Sequence, residues 1–371
     1  MNRLLVLAVT IILLGSLILV SCGEPEPAAP TTPTAPAEPA APAEPAAPAE
    51  PTKPIELSLA YHHPVQAWPT PGAFEPWSKK IEEESGGRVK ITLYPGATLV
   101  QMYDEINAVE SGLADIVNFV PYITAGRFPL SEIMMLPKLF PSGAIAGRVY
   151  HELLNKYCVD TELKSIKVLW VLPLPPMQYH GTKQVHALED IKGMKLRSEG
   201  KVETWTTEAL GATGVVMATP ELFSAVEKGV VDGFFFLWEG VLAFGLKDIT
   251  QYRAKVDMYT RGFPTVMNLE TWNSLPPDIQ EIFERNSGVE MSARTGAGFD
   301  QANAGAMGAV SGYDKEVGNE GIYIFPEEEA ARWQAAVKPV WDKWLDEVNG
   351  QGLPGSQMLD DALSLIEEYS K

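Results

Sequence analysis

The sequence predicts an α/β protein of two lobes facing each other across a cleft. Three observations carry this. The stretch from Ile55 to Lys371 exceeds what one compact lobe usually holds. Helix-like and strand-like runs alternate along it, with glycine and proline marking the turns. One short signature, A-V-E-x-G-x-x-D, is written twice, as Ala108-Val-Glu-Ser-Gly-Leu-Ala-Asp115 and Ala225-Val-Glu-Lys-Gly-Val-Val-Asp232. Each copy reads as a helix, a glycine past its end and a buried strand, the turn from which open α/β sheets present ligands at their carboxyl edges.

The elements follow in order. Trp77 to Ser85 reads as a helix stopped by Gly86-Gly87, and Arg88 to Tyr94 alternates polar and apolar as a strand. Tyr103 to Glu110 is helical, Gly112 suits the left-handed position after it, and Asp115 to Val120 is an apolar strand. In the second half Thr219 is placed to cap a helix that Pro220 begins, Leu222, Ala225 and Val226 form its buried stripe, and Val230 to Phe236 is the next strand. Pro277 to about Val317 has no internal proline and predicts one long helix, with a break at Gly296-Ala-Gly298. Glu327 to Asn349 carries Trp333, Val337, Val340, Trp341 and Trp344 at helical spacing, which assigns those side chains to the core.

The start of the chain has a different character. Arg3 precedes the apolar run Leu4 to Val20, which is too short for a comfortable transmembrane helix and closes on Leu19-Val-Ser-Cys22. That ending resembles the lipobox of bacterial lipoproteins, and the resemblance makes Cys22 the lipidated first residue of the mature chain. Glu24 to Pro54 is almost wholly Ala, Pro, Glu and Thr, as in Ala35-Pro-Ala-Glu-Pro-Ala-Ala41. Such a segment has nothing to bury and favours an extended polyproline form, which over thirty-odd residues reaches on the order of 90 Å. It reads as a tether between a membrane surface and the folded body.

With 29 Lys+Arg against 48 Asp+Glu, the formal charge is -19, which argues against nucleic acid or an anionic lipid surface as partner of the body. Beyond Cys22 the only cysteine is Cys158, so neither a disulfide framework nor a cysteine metal site is expected. Cys158 sits in the helical-looking run Leu153 to Val159, where a small apolar side chain is expected to be buried. The His62-His63 pair invites a metal, but adjacent residues on a strand point to opposite faces. No Gly-x-Ser-x-Gly elbow, His-Glu-x-x-His, phosphate loop or dinucleotide fingerprint is present. Neither an enzyme nor a cofactor is expected; a secreted hydrolase, with Cys158 as a thiol nucleophile beside His151 and His186, is the alternative.

Several segments, taken together, resemble the solute receptors of tripartite ATP-independent periplasmic (TRAP) transporters, the DctP family. They are Glu83-Glu-Ser-Gly-Gly-Arg-Val-Lys90, Tyr94-Pro-Gly-Ala-Thr-Leu99, Leu136-Pro-Lys-Leu-Phe140, Leu188 through Arg197, and Leu210-Gly-Ala-Thr213 through Asp232-Gly233. The resemblance implies a periplasmic-binding-protein-like fold with a long helix spanning both lobes. It implies a receptor that closes on a small organic acid and hands it to a small and a large integral membrane permease subunit; presenting the ligand to a sensor kinase is the alternative use of such a receptor. The lobes are then divided as 1–22 signal segment, 23–54 tether, 55–174 first lobe, 175–262 second lobe, 263–302 return to the first lobe with the long connecting helix, and 303–371 C-terminal helices mainly with the second lobe.

The same resemblance makes Arg197, in Gly193-Met-Lys-Leu-Arg197, the reader of the ligand carboxylate. Guanidinium suits that role independently, since its planar paired donors match two carboxylate oxygens and stay charged when desolvated. Relatives carry an asparagine after the second Asp-Gly, where this chain has Phe234-Phe-Phe-Leu-Trp238, and the second arginine of sialic-acid receptors is replaced near Met177-Gln178. One carboxylate anchor with an aromatic wall fits a hydrophobic or aromatic monocarboxylate or a branched 2-oxo acid. Phe236, Trp238, Gln178, Tyr179, Phe119, Tyr122, His62 and Trp68 are the further candidates, all at or near predicted strand ends, where aromatic faces can sandwich a planar ligand.

Overall fold

A computed structural model describes residues 53–124 and 126–371. Cys22 and nearly all of the predicted tether lie outside the described residues. Eleven strands occur among the described residues: β1 (Ile55–Tyr61), β2 (Val89–Tyr94), β3 (Ile116–Asn118), β4 (Ile166–Pro173), β5 (Gln178–Gly181), β6 (Lys195–Ser198), β7 (Thr213–Val216), β8 (Gly233–Phe236), β9 (Tyr252–Lys255), β10 (Gly262–Asn268) and β11 (Ile322–Ile324). They form two sheets, one per lobe, in the orders β2-β1-β3-β10-β4 and β7-β6-β8-β5-β9-β11.

The two orders repeat one plan. In each lobe the first strand of a β-α-β-α-β unit lies at the centre with the other two parallel to it, and an antiparallel strand from elsewhere in the chain covers the third. The final aspartate of the repeated signature has the same task in both lobes. Asp115 accepts from the backbone N–H of Ser58 in β1 at 2.8 Å, and Asp232 accepts from the backbone N–H of Lys195 in β6 at 2.8 Å. Each carboxylate ties the start of its own strand to the central strand, and Gly112 and Gly229, with φ of 74° and 69°, turn the chain from helix to strand just before it.

Three passages join the lobes. Leading out of β4 and back into β10, Leu174–Met177 and Tyr259–Arg261 run antiparallel, with Leu174 donating to Arg261 O at 2.7 Å and Met177 to Tyr259 O at 2.8 Å. The third is the helix Gly288–Val317. It is fixed to the first lobe through Ser292, whose hydroxyl accepts from Val171 N at 2.9 Å, and through Asp300, which accepts from Gly143 N and Ala144 N at the start of the helix Gly143–Leu153. It is fixed to the second lobe through Asn303, which accepts from Glu239 N at 3.1 Å, and through the buried pair of Asp314 with Arg253 at 2.6 Å.

Two sequence expectations change here. The helix runs unbroken through Gly296 and Gly298, and the break falls earlier, at Asn286–Ser287 between Pro277–Arg285 and Gly288–Val317. The glycines serve close packing instead: a Cβ on Gly296 would stand 2.3 Å from Gly143 O, and one on Gly298 would strike the Trp68 ring. The C-terminal helices are also shared out differently from the expectation for 303–371. Pro339–Gly350 sends Trp341 and Trp344 to the carbonyls of Pro137 and Pro129 in the first lobe while its Glu347 meets Lys201 in the second. Gly355–Tyr369 packs on the first lobe, where Asp361 accepts from Lys156 and Tyr157 and Tyr369 donates to Glu152. Trp333 and Trp344 are core residues.

Candidate ligand cavity between the lobes

The carboxyl ends of the central strands point at the interlobe space, and a cavity lies there. From the first lobe it is lined by His62 and His63 just after β1, Met102, Val120 just after β3, and Phe263 in β10. From the second come Glu199 just after β6, Thr219, Phe236 at the end of β8, and Leu237, Glu239 and Gly240 at the helix that follows. Leu174 and Arg261 on the connecting strands and Phe299 on the long helix close it.

A buried charge cluster forms its polar end. Arg197, 1% exposed, stands directly behind the wall. Its Nη2 donates to Thr219 Oγ1 at 2.8 Å and to Glu199 Oε1, its Nε donates to Met217 O at 3.2 Å, and its Nη1 is buried without a hydrogen-bond partner. Arg261 is in the wall itself, donating through Nη1 to Glu199 Oε2 at 2.7 Å and through Nε to Glu203 Oε1 at 2.8 Å. Burial alone would raise the Glu199 pKa, but the two guanidinium groups outweigh it and hold the carboxyl down to about 2. Two arginines are thus matched by two glutamates before any ligand arrives.

Arg261 and Thr219 are the residues that sequence reasoning missed. The sequence has no second arginine at Met177-Gln178, and the fold supplies Arg261 from the strand hydrogen-bonded to that passage. Thr219 was assigned as a helix cap; the cap position belongs to Ala218, whose N–H is held by Glu221 at 3.0 Å, and the Thr219 hydroxyl is left free to donate to Glu199 at 2.9 Å and accept from Arg197. The sequence signal for Arg261 was a lone charge beginning an otherwise apolar strand, Arg261-Gly-Phe-Pro-Thr-Val-Met267.

The other predicted residues divide. His62 and Phe236 line the cavity. Tyr122 backs it, with the Arg261 guanidinium 5.7 Å from its ring centre and its own hydroxyl buried without a partner. Trp68 stacks on Phe299 with ring centres 4.7 Å apart, and its backbone N–H donates to Glu239 at 2.8 Å, which closes the mouth from both lobes. The remaining four are structural. Gln178 accepts from Val256 N and Asp257 N and donates to Pro176 O, locking the passage between lobes. Tyr179 gives its hydroxyl to Lys183 O, Trp238 packs edge-on against His180, and Phe119 packs on Phe128. Alternation along the strand turns Phe235 away from the face of Phe236, and Trp238, beyond the strand end, is turned to His180.

His62 and His63 both line the cavity, contrary to the opposite-face expectation, because the strand ends at Tyr61 and the chain bends; their ring centres are 4.2 Å apart. His62 Nδ1 lies 3.1 Å from Glu105, whose burial lifts its carboxyl to about 6 against the pull of His62. No group of three or more metal-ligating side chains occurs among the described residues. Cys158 is buried, and burial pushes its thiol well above the ordinary range, away from the thiolate that a nucleophile needs. No helix among the described residues is long and apolar enough to cross a membrane.

A model of the DctP family, bacterial extracellular solute-binding proteins of family 7, matches residues 62–347. The chain belongs to that family. Among solved structures, this DctP-family receptor is similar to a TRAP solute-binding protein from Rhodoferax ferrireducens with copurified benzoate, at 29% identity and a TM-score of 0.80 over 85% of this chain and 98% of that one. A marine metagenome TRAP protein specific for aromatic acids, holding 3-hydroxybenzoate, is similar at 28% identity and a TM-score of 0.80 over 86% and 100%. Among curated relatives, a monocarboxylate 2-oxoacid-binding periplasmic protein of Nostoc is 26% identical over 75% of this chain and 81% of its own length. The two-lobed fold with its interlobe cleft is the fold of these receptors.

Proposed function

We propose that this receptor captures a small monocarboxylate with an aromatic or bulky apolar body and delivers it to the membrane subunits of a TRAP transporter. The observation that carries this reading is the arginine pair at the polar end of the cavity, Arg261 in its wall and Arg197 just behind with Nη1 buried and unpartnered, facing an apolar surface that includes Phe236, Phe244, Phe263, Phe299, Leu174 and Val120. A buried guanidinium N–H without an acceptor costs free energy that a ligand carboxylate would recover. Arg197 and Arg261 are already paired with Glu199 and Glu203, so the one donor left without a partner, Nη1 of Arg197, supports one carboxylate, and among the described residues no cation besides Arg261 lines the cavity to hold a second. The benzoate and 3-hydroxybenzoate in similar receptors agree with an apolar body.

The reading extends to place. Cys22, at the end of the lipobox-like segment, carries the lipid, and the Ala/Pro-rich stretch lets the receptor reach from the outer face of the cytoplasmic membrane toward its permease. Nothing in the reading assigns catalysis to the chain.

Titration calorimetry with benzoate, a branched 2-oxo acid and succinate tests it. Benzoate or the oxo acid should bind, and a ligand at a hundred times its dissociation constant should stabilise the fold by about 2.7 kcal/mol. Binding of succinate alone would overturn the monocarboxylate assignment.

A further inference from the structure

His63 occupies the cavity wall opposite in chemistry to the arginines. It is 9% exposed, packed 4.2 Å from His62, 5.5 Å from Phe263 and 6.5 Å from Phe74 between ring centres, which shields most of the ring from water. Burial, joined by the neighbouring His62, keeps the imidazole well below its ordinary pKa and therefore neutral, with one ring nitrogen protonated and the other bare.

Which nitrogen is bare is decided by Asn118, the side chain that faces the ring. The Asn118 amide nitrogen is committed, donating to Phe263 O at 2.8 Å and Thr265 Oγ1 at 3.0 Å. Its oxygen is therefore the acceptor left beside the imidazole; it is buried without a hydrogen-bond partner, as is His63 Nε2. A carbonyl oxygen can only accept, so the ring proton belongs on the side of Asn118. The other nitrogen is then an acceptor with no proton, in the wall of a cavity. Of the carboxylates in the wall, both oxygens of Glu199 hold arginine or threonine donors and Glu239 Oε1 holds the Trp68 N–H, which leaves Glu239 Oε2 as the one competing acceptor.

We propose that His63 accepts a hydrogen bond from a hydroxyl on the ligand, so that the receptor selects hydroxylated acids over their unsubstituted parents. This rests on the monocarboxylate reading above and adds a second polar point to it. The ligand is then held at two places, its carboxylate by Arg197 and a hydroxyl on its body by His63, with the apolar wall between. A parent acid leaves the bare nitrogen buried and unsatisfied, and such a loss typically costs about 1 to 3 kcal/mol, or roughly five- to more than a hundredfold in affinity.

Calorimetry on the intact protein with benzoate, the three monohydroxybenzoates and their methyl ethers decides it. At least one hydroxybenzoate should bind about fivefold or more tighter than benzoate. Its methyl ether, which keeps the oxygen but has no proton to give, should lose that gain. His63→Phe should abolish the ratio of hydroxybenzoate to benzoate affinity, whatever it does to the affinity for benzoate itself, and His63→Gln, which restores an acceptor, should recover part of the preference. If His63→Phe does not fold, the ether comparison on the wild type decides alone. Equal binding of benzoate and every hydroxybenzoate, or an ether that binds as well as its phenol, overturns the proposal and leaves the monocarboxylate reading standing. Failure of every acid in this set to bind overturns this inference, and the monocarboxylate reading falls with it only if the branched 2-oxo acid fails to bind as well.

Discussion

Nη1 of Arg261 donates to Oε2 of Glu199 at 2.7 Å, both side chains almost wholly buried. The contact joins a connecting strand to the loop after β6, so the passage between the lobes is pinned to the wall of the cavity that it helps to close. Glu199 in turn holds Arg197, and one carboxylate therefore orients both guanidinium groups.

Replacing Arg197 should act on binding and on stability together. Removing one partner of a buried charge pair typically costs about 2 to 5 kcal/mol of binding, or roughly thirty- to several-thousand-fold. Arg197 is also bonded to Glu199, Thr219 and Met217, so Arg197→Ala should lower the melting temperature of the unliganded protein as well. Arg197→Lys keeps the charge, loses the paired planar donors and should bind at least about tenfold more weakly than wild type. Calorimetry on the lysine variant checks this, and affinity equal to wild type would refute the carboxylate assignment.

The long helix offers a paired test of packing. Gly296→Ala places a methyl 2.3 Å from Gly143 O, backbone that cannot swing aside, and should destabilise by about 1 to 3 kcal/mol. Gly305→Ala in the same helix meets nothing within 4 Å and should be neutral or stabilise by about 0.4 to 1 kcal/mol. Urea unfolding of both variants reads the difference; equal effects would mean that helical propensity, and not contact with the Gly143 helix, governs these sites.

Glu132 should make stability fall as the solution becomes neutral. Burial lifts its carboxyl to about 7, against the opposing pull of Lys201 at 3.0 Å. A carboxyl whose folded pKa lies above its unfolded value favours the fold when protonated, so its contribution is full below about pH 4.5 and lost as pH rises through 7. Relative to Glu132→Gln, wild type should lose stability on the order of 3 kcal/mol over that window. Thermal melts of the two proteins from pH 4.5 to 8 measure it, and parallel curves would show that the ion pair with Lys201 offsets burial in full.

Anchoring at Cys22 predicts that Cys22→Ala is released from membrane fractions or left with its signal segment uncleaved. A cleaved variant that still sediments with membranes as wild type does would end the lipid assignment.

The sequence by itself determined the family, the α/β class and the repeated unit, because these are written in local patterns: helix, glycine, strand and aspartate at fixed spacing need no distant partner to be legible. It also marked Arg197, since that residue sits in a recognisable segment. What it left open depends on pairs far apart in the chain. Arg261 meets Glu199 across 62 residues and Glu203 across 58, and only the antiparallel passage of two connecting strands brings them together. Thr219 looks like a cap until the fold sets Ala218 in that position and turns the hydroxyl toward Glu199. Gln178, Tyr179, Phe119 and Trp238 fit a binding wall as residue types, and the structure commits them to backbone carbonyls and core rings. His62 and His63 were separated by strand alternation and are reunited by the bend after Tyr61. Side-chain chemistry is local and readable; which face a side chain presents is decided by tertiary packing, because a single turn or strand end redirects it without changing its identity.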